Sequence, residues 1–107
     1  MKVKASDVWG EVEEGLGSVG KIRILRLLMA EPEECFTKYM LERATGLKPK
    51  DVKKSLEVLV GLGWVVENPC DPKTYRINLE NERVKILAEL FCRLARQPPS
   101  PQRYVGK

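Results

Sequence analysis

Two amphipathic segments separated by three residues constrain this 107-residue chain more than any other feature. Thr37 to Thr45 carries Tyr39, Met40, Leu41 and Ala44; Pro49 to Leu62 carries Val52, Leu56, Leu59 and Leu62. The second set falls at i, i+4, i+7 and i+10, one face of a helix. Between them stands Gly46-Leu47-Lys48. Glycine closes the first helix in the left-handed conformation. Pro49 opens the second, where its missing N–H would be unpaired anyway. Two helices joined by so tight a turn pack against each other, with Leu47 beneath the turn.

The flanking sequence supplies the rest of a small domain. A first helix is expected from Ser6, its cap, to about Leu16, with Val8, Trp9, Val12 and Leu16 on one stripe. Gly15 and Gly17 break it. A second helix, capped by Ser18, runs to about Ala30, with Ile22, Leu25, Leu28 and Met29 inward and Lys21, Arg23 and Arg26 outward. Cys35-Phe36 reads as a short extended piece. Thr37 then caps the next helix, and Phe36 and Leu41 form a hydrophobic staple. After Gly63, a strand Trp64–Glu67 and a strand in which Tyr75, Ile77 and Leu79 alternate with Thr74, Arg76 and Asn78 form a hairpin. Its loop, 68–73, contains Pro69 and Pro72. A last helix, from about Glu82 to Ala95 and started by Glu80 or Asn81, carries Val84, Leu87, Phe91 and Leu94 on one stripe with Ile86 and Leu90 alongside. The proline-rich stretch from Gln97 reads as a flexible tail. The expected fold is mainly α with a small β-hairpin wing. Residues 1–16 form an N-terminal helix, 17–95 the central domain and 96–107 the tail.

Composition narrows the function classes. Net charge is +4, which favours a polyanionic partner only if the positive charge is concentrated. It is concentrated at the turn, in Lys48-Pro49-Lys50-Asp51-Val52-Lys53-Lys54. Val52 points inward, while Lys50, Lys53 and Lys54 project outward at the helix start. Positive charge there opposes the helix dipole, so an anionic partner is a reason for it. A solvated lysine face, with Asp51 and Glu57 as internal partners, is the plainer alternative.

The chain has no histidine, no phosphate-cradling glycine loop and no nucleophile beside a base, so an enzyme is not expected. Glu11, Glu13 and Glu14, like Glu31, Glu33 and Glu34, read as solvated charges. Cys35, Cys70 and Cys92 are widely spaced and odd in number, the pattern of reduced thiols. Neither a secretory signal nor an apolar run of membrane-spanning length is visible. A cytoplasmic protein with no cofactor, metal or membrane partner is expected. Cys70, on the wing loop, is an inert surface thiol or, less simply, a redox switch.

Leu56-Glu57-Val58-Leu59-Val60-Gly61-Leu62-Gly63-Trp64-Val65 resembles the passage from recognition helix to wing in winged helix-turn-helix regulators of the ArsR-like and MarR-like type, especially small archaeal ones. Lys73–Leu79 resembles their second wing strand, and Ser18–Leu28 their first core helix. The resemblance covers residues 17–94. It implies a homodimer that binds palindromic double-stranded DNA and regulates transcription. The helix Pro49–Leu62 would enter the major groove, about 12 Å wide. Lys50, Lys53 and Lys54, with Ser55 and Glu57 as further candidates, would face the bases. Lys48 belongs to the same DNA-contacting cluster, and Lys38 and Arg43 would meet phosphates. Lys73 and Arg76, at or near the wing tip, would reach the backbone or minor groove of the DNA or else form an ordinary solvent-facing strand edge, and Arg23 and Arg26 are weaker candidates. The first and last helices would form the dimer interface through Val8, Trp9, Val12, Leu87, Phe91 and Leu94, or else complete the core of a single chain. The cysteine pair of metal-sensing relatives is absent. The rival reading is a winged helix used as a protein–protein module in a transcription or replication complex. RNA binding ranks third, since no aromatic platform for base stacking is evident.

Overall fold

A computed structural model describes residues 8–98. The expected Ser6 cap and most of the tail lie outside these residues. Helices α1 (Val8–Gly15), α2 (Val19–Ala30), α3 (Lys38–Thr45), α4 (Pro49–Gly61) and α5 (Glu82–Ala95) surround a small sheet of β1 (Phe36–Thr37), β2 (Val65–Asn68) and β3 (Thr74–Ile77).

Local chemistry sets most boundaries. Ser18 Oγ accepts from the Lys21 N–H at 3.2 Å and Thr37 Oγ1 from the Met40 N–H at 3.1 Å, capping α2 and α3. Gly46, at φ 78°, closes α3 and donates to Glu42 O. Asn81, and not Glu80, caps α5: its Oδ1 accepts from the N–H groups of Arg83 and Val84.

The sheet is antiparallel in the order β1-β3-β2, so β3 is central. The piece expected only as an extended approach to α3 is therefore a third strand, one residue further along. Phe36 pairs with Tyr75 and Thr37 with Thr74, while β2 pairs Val65 with Ile77 and Asn68 with Thr74. Phe36 and Tyr75 are both buried, so the third strand adds a cross-strand aromatic pair to the core. The hairpin departs from expectation at both ends. Trp64 precedes β2 and is the largest fully buried side chain, and Leu79 lies beyond β3, exposed.

One core joins all of this. Ile24, Leu25 and Leu28 of α2, Leu41 of α3, and Val52, Leu56 and Leu59 of α4 meet Trp64, Val65, Ile77, Val84 and Leu87. Ile24 takes the central place in α2 that the stripe reading gave to Ile22 and Met29, which are half-buried. No helix among the described residues is long and apolar enough to cross a membrane.

Candidate nucleic-acid interface

The turn between α3 and α4 is held by its own hydrogen bonds. Thr45 Oγ1 donates to Leu41 O at 2.6 Å and accepts from the Leu47 N–H at 3.2 Å. Leu47 packs against the core, so both ends of the turn are tied down. Helix α4 lays Val52, Ser55, Leu56 and Leu59 inward. Its opposite face is therefore determined by periodicity. Lys50, Lys53 and Lys54, at i, i+3 and i+4, stand together and exposed, beside exposed Lys48.

Two features mark this face. Among the described residues, none of these four lysines is in an ion pair, and Asp51 and Glu57 do not close on them. Like charges at this spacing cost a few tenths of a kcal/mol each, and no ion pair among the described residues offsets that cost. The N-cap Lys48 also makes no side-chain hydrogen bond to the first turn, so donors at the start of α4 stay open.

Ser55 does not belong to this face. It is 6% exposed, and a Cβ added at Gly20 of α2 would stand 3.4 Å from its Oγ. A position five residues after Lys50 lies more than a quarter-turn away, on the side packed against α2, so its hydroxyl cannot reach a partner in solution.

The other expected contacts divide. Lys38 is half-buried at the start of α3. Arg43 is exposed and donates to Tyr39 Oη at 2.7 Å, with its guanidinium 5.7 Å from that ring centroid. Lys73 is at the wing tip, 3.3 Å from Glu67 Oε2 in an exposed pair, a geometry worth about 0–1 kcal/mol. Arg76 is not at the tip: it pairs with Val66 toward the base of the wing and is half-buried. Beside it, burial raises the Tyr75 phenol above its ordinary pKa; the Glu67 carboxylate adds to the rise and Lys73 opposes it.

The terminal helices also divide. Leu87, expected at a dimer interface, is 8% exposed and belongs to this chain's own core. Phe91 is half-buried and, with Leu94, lines a groove of about 1090 Å³ between α2 and α5. Leu94, at 57%, and Trp9, at 68%, are exposed; Val8 is marginally so and Val12 half-buried. One side of α1 is fastened to this chain. Gly15 is buried against Trp64, whose ring leaves no space for a Cβ there. Glu11 Oε2 accepts from Trp64 Nε1 at 2.6 Å, and its Oε1 lies 3.3 Å from Arg83 Nε. That approach is close enough for ion pairing but misaligned for a hydrogen bond, which leaves the buried Nε without one. Glu11 is therefore a structural anchor and not the solvated charge its neighbours suggest. A lone glutamate among three gives no sequence signal for this.

Among the described residues, no three His, Cys, Asp or Glu side chains gather as a metal site. Cys35, Cys70 and Cys92 are free thiols and exposed.

No protein-family model matches the chain, and no curated relative does. Solved structures do. A MarR family transcriptional regulator from Silicibacter pomeroyi superposes with a TM-score of 0.61 at 17% identity, over 86% of this chain and 65% of its own. The chain thus spans slightly less than two thirds of that regulator. A Mycobacterium bovis domain (fragment 1–100), described as a homodimeric winged helix-turn-helix DNA-binding domain of a possible ArsR-family regulator, gives 0.64 at 19% over 99% of this chain and all of its own. A crystal structure of a Mycobacterium bovis fragment 1–100, described as a possible transcriptional regulatory protein, gives 0.62 at 22%, over 88% of this chain. The fold is winged helix-turn-helix, with α3 and α4 as the two helices and β2–β3 as the wing. None of these structures bears on the archaeal leaning of the sequence resemblance.

Proposed function

We propose that this protein binds double-stranded DNA as a homodimeric transcriptional regulator, with α4 in the major groove. It works in the cytoplasm, requires no metal and catalyses no reaction. The observation that carries this reading is the face of α4: three lysines at i, i+3 and i+4, exposed and unpaired, beside an uncapped helix N-terminus. Charge that repels itself within the fold gains most from a polyanion, and phosphates also suit the open N–H groups. Lys50, Lys53 and Lys54 approach the groove. Lys48, Lys38 and Arg43 meet flanking phosphates, and Lys73 at the wing tip does the same further along the duplex. Lysine reads base edges less selectively than arginine or asparagine, so specificity is modest. The solved neighbours described as transcriptional regulators, one of them a homodimeric DNA-binding domain, support this reading. In a dimer, the exposed side chains of α1 and α5, Trp9 and Leu94 among them, face the partner copy.

The test is fluorescence anisotropy with duplex DNA across a salt series in EDTA, comparing the wild type with Lys50→Ala/Lys53→Ala/Lys54→Ala. The expected result is a linear fall of log affinity with log salt, with the triple variant binding more weakly and its slope shallower by about 2–3. Wild-type binding that is absent at low salt, or unchanged by the triple substitution, overturns the reading.

A further inference from the structure

The groove between α2 and α5 has apolar walls that include Leu27 and Met29 of α2 and Phe91 of α5, all half-buried. Three arginines line it as well: Arg23 and Arg26, one helical turn apart on α2, and Arg96 just after α5. All three are exposed, and no aspartate or glutamate among the described residues lines the groove with them. Among the described residues, none of the three is in an ion pair. Arg23 Nη1 donates to Thr45 O at 3.4 Å and Arg96 Nη2 to Cys92 Sγ at 3.5 Å. Neither acceptor is a carboxylate, so a carboxylate that enters the groove makes the stronger hydrogen bond and displaces them.

Apolar walls beside three guanidinium groups match one ligand chemistry, an apolar body with an anionic head. A guanidinium holds a carboxylate through two parallel hydrogen bonds, which fixes the head in place. The groove, about 1090 Å³, stands at the top of the range of small-molecule sites, about 300–1,000 Å³, so a small acid would leave most of it to water. A long hydrocarbon chain covers the walls. We propose that this groove binds a free long-chain carboxylate, with its chain along Leu27, Met29 and Phe91 and its head on the arginines. The stretch of this chain that follows α5 is a poor occupant by charge: from Gln97 onward it contains Arg103 and Lys107 and no acid. Ile86 and Leu90, the exposed edge of α5, do not line the groove, so the two surfaces are distinct and share only Leu94. The site also reaches the helix-turn-helix. Thr45 lines the groove; its Oγ1 fastens the turn before α4, and its carbonyl is held by Arg23. A carboxylate that takes Arg23 from Thr45 O loosens this attachment and lowers the affinity for DNA, a consequence that rests on the DNA reading above.

Isothermal titration calorimetry of the full chain with tetradecanoate, in the absence of DNA, tests the site. Saturable binding is expected, weakening about fourfold for each two carbons removed through dodecanoate to decanoate, because an open groove buries part of each methylene. Decanol, which keeps the chain and lacks the charge, is expected to bind about tenfold more weakly than decanoate. Arg23→Gln, Arg26→Gln and Arg96→Gln, all at exposed positions, each weaken tetradecanoate binding about five- to tenfold without lowering Tm. Ala95→Glu, which sets a carboxylate beside the arginines from an exposed lining position, abolishes it. A wild type that binds no tetradecanoate overturns the site. So does binding that survives these substitutions, or that decanol matches, since it then lies on other apolar surface. Binding that weakens as rising protein concentration drives self-association gives the groove to a second copy and overturns the proposal too. With no DNA present, none of these outcomes bears on the DNA reading. In the anisotropy assay, saturating tetradecanoate is expected to lower duplex affinity of the wild type about fivefold and to leave that of Arg23→Gln unchanged. Wild-type duplex affinity that tetradecanoate does not move overturns the link to the turn.

Discussion

Helices α4 and α5 are of nearly equal length, 13 and 14 residues, and each packs one apolar stripe into the same core. They differ in what they do with the other side. On α4 the exposed side carries lysines; on α5 it carries Glu82, Glu89 and Arg93 beside an exposed apolar edge of Ile86, Leu90 and Leu94. They differ again at their first turns. Asn81 caps α5 with two hydrogen bonds, whereas Lys48 leaves α4 without a side-chain cap. A capped helix with an exposed apolar edge is complete in its backbone and leaves that edge for a hydrophobic neighbour. An uncapped helix with a cationic outer face is complete in its packing and lacks an anion. In both helices the unmet requirement of the fold indicates the chemistry of the partner.

The largest expected effect separates the two faces. Leu59 is fully buried, and Leu59→Ala is expected to cost about 2–5 kcal/mol in urea unfolding. Leu90→Ala is expected to change the stability of the single chain by no more than about 0.5 kcal/mol, while reducing the dependence of Tm on protein concentration. Equal losses at both positions, independent of concentration, would break the comparison by making Leu90 an ordinary core residue.

The caps give the next effect. Asn81→Ala is expected to destabilise the fold by about 1 kcal/mol, whereas Lys48→Ser, which supplies α4 with a cap, stabilises it by about 0.5–1 kcal/mol. The same Lys48→Ser change should weaken duplex binding in the anisotropy assay. A stability gain with binding intact would show that the open N-terminus is not needed for DNA.

The smallest effect lies in the wing. Tyr75 has its pKa raised by burial, with Glu67 contributing, so the fold favours the neutral phenol. The associated stability is fully present below the unfolded-chain value of about 10 and is lost as pH rises through the higher folded value. Tyr75→Phe should flatten that alkaline loss in thermal melts without shifting the neutral-pH salt slope for DNA. A changed slope would bring the wing strand into the contact.

Legibility followed the range of the interactions. The caps at Ser18, Thr37 and Gly46, the Pro49 start and the α4 stripe depend on residues three or four apart, and all were readable from the chain. The lysine face followed from the same periodicity. A serine beside a lysine cluster looks polar and available, but the helix turns Ser55 onto Gly20. Arg76 stands below the tip because the register of β2 on β3, and not proximity to the loop, sets its height in the wing. Leu87 and Leu94, equivalent in a stripe, part company because Leu87 meets the core while Leu94 borders an open groove lined by residues of α2 and α5.

The sequence by itself determined the order of elements, the helix-turn-helix link and the sign of the charge on α4, because each rests on backbone preference or helical period. Tertiary structure alone decided that β1 joins the wing as a third strand, that Glu11 bonds Trp64 across the core, and which stripe of α5 stays uncovered. Those outcomes depend on residues tens of positions apart being brought within a few ångströms, and no local pattern encodes that distance.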